Sequence, residues 1–373
     1  MQLLIERGAL LRTLGHIHSV VERRNTIPIL SNVLIEARDG QLHLTATDLD
    51  LAIVESVPAN VVQAGATTAP AHTLFDIVRK LPEGTDVELT YRAQDGGRMT
   101  LAAGRSRFQL QCLPREDFPV ITDAGLPHSF ALPASALRDL IDKTRFAIST
   151  EETRYYLNGI YVHAADSAGL AVLRGVATDG HRLARFEVPL PAGAAGMPGA
   201  IVPRKTVNEV RKLIDETEGD VEIALSDTKI RFAFDDVVLT SKLIDGSFPE
   251  YSRVIPTAND KLLEVDPRLF AAAVDRVSTI STDKTRAVKL ILDQDRITLS
   301  VTSPDNGSAV EEVAASYRSS PMEIGFNAKY LLDITQQIES DVLRMVLADS
   351  LAPTLVRDQG DEATLYVLMP MRV

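Results

Sequence analysis

Two clusters in the 373-residue sequence have residue types that could do chemistry. Asp179-Gly180-His181 sets a carboxylate beside an imidazole, the pairing that general acid–base catalysis uses. Asp48 and Asp50 are carboxylates of the kind that hold a hard cation. Neither sits in a frame that would arm it. The sequence has no H-E-x-x-H zinc helix, no G-x-x-x-x-G-K-[ST] phosphate loop and no G-x-G-x-x-G opening a helix. Gly104 to Phe108, GRSRF, is not a G-x-S-x-G nucleophile elbow. His16 and His18 are two apart on a helical pattern and so point different ways. The seven histidines are scattered. These residues argue against an enzyme and predict no catalytic residue, no metal and no cofactor. A binding or scaffold protein is the reading left.

Composition bounds that reading. Hydrophobic residues make up 45% and charged residues 24%, an ordinary globular balance. The length suits two or three domains, each able to bury a core. No stretch approaches the roughly 18 apolar residues of a membrane span, and the N-terminus reads as mature structure. Cys112 is the only cysteine, so no intrachain disulfide forms, which fits a reducing cytoplasm. The net charge of −12 alone speaks against binding nucleic acid.

The elements that must position any site repeat three times. Residues 70–81 (PAHTLFDIVRKL), 203–214 (PRKTVNEVRKLI) and 327–338 (NAKYLLDITQQI) each space apolar residues as one helix face does. Each unit opens on another helical pattern, at 7–21, 133–148 and 266–280. Between the helices lie alternating strands. Val33, Ile35 and Ala37 lead to an Asp39-Gly40 turn and then Leu42, Leu44 and Ala46, a hairpin pattern. Asp86-Val87-Glu88 recurs as Asp220-Val221-Glu222, and Ala46-Thr47-Asp48 as Ala177-Thr178-Asp179. Two units close alike, on LPREDFP at 113–119 and LIDGSFP at 243–249, which read as extended linkers. The fold class is therefore α+β, three repeated domains with boundaries near 126 and 257.

The charge follows this frame. The six helical segments (5–24, 70–81, 135–147, 203–214, 266–277 and 327–338) hold 16 basic and 9 acidic residues, so they sum to +7 and the rest of the chain carries −19. Basic helices on an acidic body would draw duplex DNA to one surface and repel it elsewhere.

Long strings then converge on one family. RYYLNG at 154–159, ATDGHRLA at 177–184, VPRK at 202–205, TSKLIDGSFPEY at 240–251, IGFN at 324–327 and the terminal YVLMPMRV resemble the β subunit of bacterial DNA polymerase III, from residue 1 to 373 in order. The resemblance implies clamp domains at 1–126, 127–257 and 258–373. Two chains would pair head to tail in a ring, with helices lining the hole and sheets forming the rim. It implies a cytoplasmic, non-catalytic processivity factor on double-stranded DNA of any sequence. The ring would tether the replicative polymerase, clamp loader, translesion polymerases and repair proteins through short linear motifs.

Three sets of residues follow from the resemblance. Arg24, His72, Tyr155, Tyr156, Arg204 and Lys205 match DNA-contacting positions. His72 stands where the enteric pattern has arginine. Glu151 replaces a glutamine and is left out, because a carboxylate repels phosphate. A hydrophobic peptide cleft would use Leu157, Thr178, Gly180, His181, Arg182 and Leu183 from the central domain. Pro249, Arg253 and Val254 would come from the linker. Asn327, Tyr330, Leu351, Val367, Leu368, Met369, Pro370, Met371 and Arg372 would complete it, with Arg182 and Met371 at the mouth. Thr285 stands where the enteric pattern has an aromatic, which would open one wall. Phe108 and Leu110, with Thr279 and Ile280 on the other side, would close the dimer.

Overall fold

The six expected helices form, each on its apolar face. In the computed structural model, which describes residues 1–119, 125–281 and 286–373, they are α1 (Arg7–Ile17), α2 (Ala71–Lys80), α3 (Ala134–Asp142), α4 (Arg204–Ile214), α5 (Pro267–Ser278) and α6 (Ala328–Thr335). Leu10, Leu14 and Ile17 of α1 are buried, as are Leu74 and Val78 of α2. Caps set several starts. The Glu6 carboxylate accepts from Ala9 N–H, Asp266 from Arg268 and Leu269, and Asn327 from Lys329.

Three helices are shorter than their apolar spacing predicts; the last pattern runs to Ile338, but α6 stops at Thr335. The first pattern continues through Val20 and Val21, yet α1 stops at Ile17, where the His18 ring takes up the Leu14 and Gly15 carbonyls. Val20 and Val21 stay buried on a turn instead. The third pattern runs to Ile148, but α3 stops at Asp142. Thr144 Oγ1 donates to the Leu140 carbonyl, and a 3-10 turn, Arg145–Ala147, follows.

The described chain divides into two compact units: residues 1–137, 191–198 and 205–243, and residues 138–190, 199–204 and 244–373. The first holds a five-stranded antiparallel sheet in the order Asn60–Gln63, Gln2–Glu6, Asp86–Tyr91, Arg98–Ala103, Ser106–Gln111. It also holds an eight-stranded sheet. Four strands of one repeat (Gly65–Pro70, Asn32–Arg38, Gln41–Thr47, Leu51–Pro58) continue directly into four of the next (Val237–Lys242, Lys229–Phe234, Asp220–Leu225, His128–Pro133). The seam pairs Leu239 with Ile53.

The second unit repeats the device. Ala200–Pro203, Gly159–Ser167, Leu170–Thr178 and Arg182–Pro189 run on into Thr364–Leu368, Thr354–Asp358, Leu343–Leu347, Lys261–Val265 and Ser316–Tyr317. Here Tyr366 lies opposite Ala184 and Val367 opposite Leu183. A four-stranded sheet completes the unit: Met322–Asn327, Ala287–Asp293, Arg296–Ser303 and Gly307–Ala314. Among the described residues, the five-stranded sheet has Ser106–Gln111 at one edge and the four-stranded sheet has Gly307–Ala314 at one edge.

The first seam is locked by a charge cluster. Glu55 lies on its strand Leu51–Pro58, with its side chain 8% exposed. Thr13 Oγ1 donates to Glu55 Oε1 at 3.0 Å, and His16 Nδ1 lies 2.8 Å from Glu55 Oε2. His16 Nε2 lies 3.0 Å from Glu216 Oε1, and Arg12 Nε donates to Glu216 Oε2 at 2.7 Å. A neutral imidazole has one N–H, and both ring nitrogens face carboxylates, so the arrangement calls for imidazolium. The bond to Glu55 holds the His16 pKa above its ordinary value against the opposing effect of burial, and Glu216 adds to it.

A group raised in the fold stabilises fully below its unfolded pKa, about 6.5 for histidine, and its contribution disappears as pH rises through the folded value. We expect wild-type unfolding temperature, measured from pH 6 to pH 9, to fall relative to His16→Gln as pH rises. Parallel curves for the two proteins would contradict the imidazolium lock.

Candidate functional site

The Ala-Thr-Asp repeat builds the same turn twice. Thr47 Oγ1 donates to the Leu51 carbonyl and accepts from Leu49 N–H, while Asp48 Oδ1 accepts from Asp50 and Leu51. In the second copy Thr178 bonds Arg182 and Gly180, and Asp179 accepts from His181 and Arg182. The central residue has positive φ in both, +80° at Leu49 and +86° at Gly180. A Cβ at Gly180 would lie 2.6 Å from Arg154 Nη1, so a side chain there would push that guanidinium aside. That same Nη1 donates to the Asp179 carbonyl at 3.3 Å.

Arg182, expected at the mouth of the cleft, is instead buried at 5% exposure. Its guanidinium donates to Asp179 Oδ2 at 3.2 Å, Asp333 Oδ2 at 2.6 Å and the Phe146 carbonyl at 2.6 Å. It also lies 4.3 Å from the Tyr330 ring centroid and 5.1 Å from that of Phe146. Arg182 therefore joins its own strand to α6 and to the turn after α3. Beside it is a cavity of about 950 Å³, lined in part by Thr150, Glu151, His181, Asn327 and Tyr330.

The apolar candidates sort into a buried group and an exposed group. Leu183 and Val367 are opposite each other across the seam and cluster with Val176 and Tyr251. Leu157 and Leu368 are buried too. Val254, Leu351 and Met369 are exposed, at 46%, 68% and 37%. Pro249 and Arg253 are also exposed, while Thr178, Pro370 and Met371 are half-buried. The tail bearing Met371 and Arg372 is seated rather than loose. Met371 N–H donates to the Gly325 carbonyl at 2.7 Å, and a Cβ on Gly325 would sit 2.7 Å from the Met371 carbonyl.

The DNA candidates differ in availability. Arg24 and Arg204 are exposed, Tyr155 is 54% exposed, and its ring meets that of Tyr156 edge-on. Lys205 Nζ already donates to Asp48, to the Val20 carbonyl at 3.2 Å and to Glu22 at 3.4 Å. His72 Nε2 donates to the Val21 carbonyl at 2.8 Å, so its ring closes the α1 turn. Glu151 is bound by Arg154 through both oxygens, at 2.7 and 2.8 Å, which holds its carboxyl below the usual range. Its expected repulsion of phosphate is thereby largely neutralised.

For the closing pair, Phe108 and Leu110 fall on the edge strand Ser106–Gln111, with Phe108 36% exposed. Thr279 caps α5 and Ile280 follows it. Thr285 lies outside the described residues. Sequence reasoning missed the opposite edge strand, Gly307–Ala314. Its place in the repeat, matching Leu51–Pro58 and Arg182–Pro189, is the clue that would have found it.

Seams of this kind define a clamp-type architecture, in which sheets are handed from one domain to the next. Known proteins match throughout. Models of the N-terminal, central and C-terminal domains of the DNA polymerase III beta subunit match residues 1–122, 131–250 and 252–372. The beta sliding clamp of Caulobacter vibrioides is 55% identical, and that of Escherichia coli 37%, each over 100% of both chains. A crystal structure of the Caulobacter crescentus clamp with polyethylene glycol bound superposes with a TM-score of 0.98, covering 100% of this chain and 99% of that one. The Bartonella birtlesii clamp bound to griselimycin is 53% identical with a TM-score of 0.97, over 100% of both chains. The chain belongs to the DNA polymerase III β subunit family, the bacterial sliding clamps. It is a processivity factor and a non-catalytic accessory subunit of the polymerase.

Arg182→Ala would leave Asp179 and Asp333 without their shared cation. We expect a loss of about 3 kcal/mol in urea unfolding, with Arg182→Lys in between, because an ammonium lacks the planar fork. A loss under about 0.5 kcal/mol for the alanine variant, the range of ordinary surface changes, would remove Arg182 as the keystone.

Proposed function

We propose that two chains close head to tail by pairing strand Ser106–Gln111 with strand Gly307–Ala314 of the partner subunit. The observation that carries this is the register of the two internal seams. Counted through the paired sheets, Phe108 occupies the place of Leu239 and Tyr366, and Ala309 that of Ile53 and Ala184. Phe108 then lies opposite Ala309 of the partner subunit. A large ring meets a small side chain on the face where α5 and Ile280 sit. In that register Arg105 lies opposite Glu312 of the partner subunit, an opposite-charge pair that contributes roughly 0.2–1 kcal/mol.

The ring would work in the cytoplasm with its helices toward duplex DNA; among the described residues no helix is long and apolar enough to cross a membrane. Partner peptides, from the polymerase, loader and repair proteins, would seat on the Leu183–Val367 floor between Val254, Leu351 and Met369. Exposed Arg24 and Arg204, with Tyr155, are the favoured DNA contacts. Lys205 would have to leave Asp48 to join them.

Phe108→Asp places an unpaired carboxylate in the proposed seam. Light scattering should give the 40.6 kDa monomer in place of twice that mass, with the circular dichroism of each domain kept. A variant that stays dimeric at micromolar concentration would show that this edge is not the closure.

For DNA, Arg24→Glu and Arg204→Glu should each reduce retention on nicked circular DNA at low salt, the effect shrinking as salt rises. Lys205→Ala should change retention less and unfolding temperature more. Equal retention losses for all three would mean that Lys205 is as free as the arginines.

A further inference from the structure

The cleft wall around Val254 belongs to a short 3-10 turn, Tyr251–Val254, in the connection between the central and C-terminal domains. Such a segment has no sheet or long helix to hold it, yet it presents Arg253 and Val254 to solvent. What fixes it is a group of four rings. Phe248 and Tyr251 come from the segment, and Tyr161 and His163 from strand Gly159–Ser167. Tyr161 stacks on Phe248 at 4.9 Å and on His163 at 4.6 Å. Tyr251 meets His163 at 5.9 Å and Phe248 at 6.4 Å, closing the group.

Tyr251 has a second, polar hold. Its hydroxyl lies 2.9 Å from His163 Nε2 and 2.8 Å from Arg174 Nη1. The protons can be assigned. His163 Nδ1 is 3.0 Å from the Ala164 carbonyl, which only accepts, so Nδ1 carries the hydrogen and Nε2 is bare. Tyr251 therefore donates to His163 and accepts from Arg174. Arg174 is held in turn by Glu187, Nε to Oε1 at 2.7 Å, and Glu187 N–H donates to the Ala363 carbonyl at 3.0 Å. Burial lowers the His163 pKa, in keeping with the neutral ring this network needs. The Tyr251 ring itself lies in the buried cluster with Leu183 and Val367. One side chain thus touches the floor, carries the wall and is bolted to the strand behind.

We propose that Tyr251 is a positioning residue for partner recognition: its hydroxyl clip to His163 and Arg174 keeps the Tyr251–Val254 turn standing, so that the cleft is formed before a peptide arrives. The inference rests on the cleft reading given above. A wall already in place spares the bound complex the entropy of ordering it.

The probe is a short synthetic peptide with a glutamine and following apolar residues, the kind of linear motif the family resemblance implies, titrated into the full-length clamp. Tyr251→Phe keeps the ring and the floor but removes the clip, and His163→Leu removes it from the other side. His163→Gln restores an acceptor. Leu183→Lys attacks the floor directly. We expect Tyr251→Phe and His163→Leu to weaken the peptide roughly 5- to 10-fold, the cost of ordering a few residues on binding. His163→Gln should stay within about twofold of wild type, and Leu183→Lys should abolish binding. Amide exchange separates positioning from plain stability. Residues 251–255 should be protected without peptide in the wild type, but only with peptide in Tyr251→Phe. If Leu183→Lys abolishes binding while Tyr251→Phe and His163→Leu bind and exchange as wild type, the clip has no positioning role and the cleft stands. If Leu183→Lys binds normally, the cleft reading fails and the clip falls with it. Should Tyr251→Phe not fold, the contrast between His163→Leu and His163→Gln decides in the same way.

Discussion

An exposed strand edge is a row of unpaired amides and carbonyls, and it will find a partner. The domains of this chain meet that demand by pairing edges with one another. Val237–Lys242 satisfies Leu51–Pro58, and Thr364–Leu368 satisfies Arg182–Pro189. The rest of the molecule is arranged around these seams. The charge cluster of Glu55, His16 and Glu216 sits at the first. The buried apolar pair Leu183 and Val367 sits at the second.

The charge on the helices is subtler than its sum. Arg12 pairs with Glu216, Arg79 with Asp76, Lys212 with Glu209 and Arg276 with Glu311. The four basic side chains are more than half exposed, so each pair is worth little in water. A weak pair is easily exchanged.

Much of the fold was legible because helices and hairpins announce themselves locally. The Asp39-Gly40 turn formed where expected, with both residues at positive φ. Helix ends were less legible, since Val20 and Val21 continue the apolar pattern after His18 has ended α1. The seams were not legible, because edge pairing is made by the main chain and leaves no side-chain code. The candidate sites divided along the same line. Of the residues named by local strings, Arg182, Leu183, Val367 and Leu368 fell at the second seam. Arg182 and Lys205 are each held by a partner far along the chain, Asp333 and Asp48. Nothing within a few residues of either arginine or lysine records those partners.

A joint made of backbone has a history written into it. One seam is lined by Leu239 and Ile53, the other by Tyr366 and Ala184, and both hold with the same geometry. Side chains next to a seam are therefore free to drift after a duplication, so long as the strands stay extended and keep proline out of their middles. One descendant could acquire a buried ionic lock and another a docking groove, with neither renegotiating how it joins its neighbour. Three copies of one ancestral domain could in this way take up separate trades while the closure they share went on unaltered.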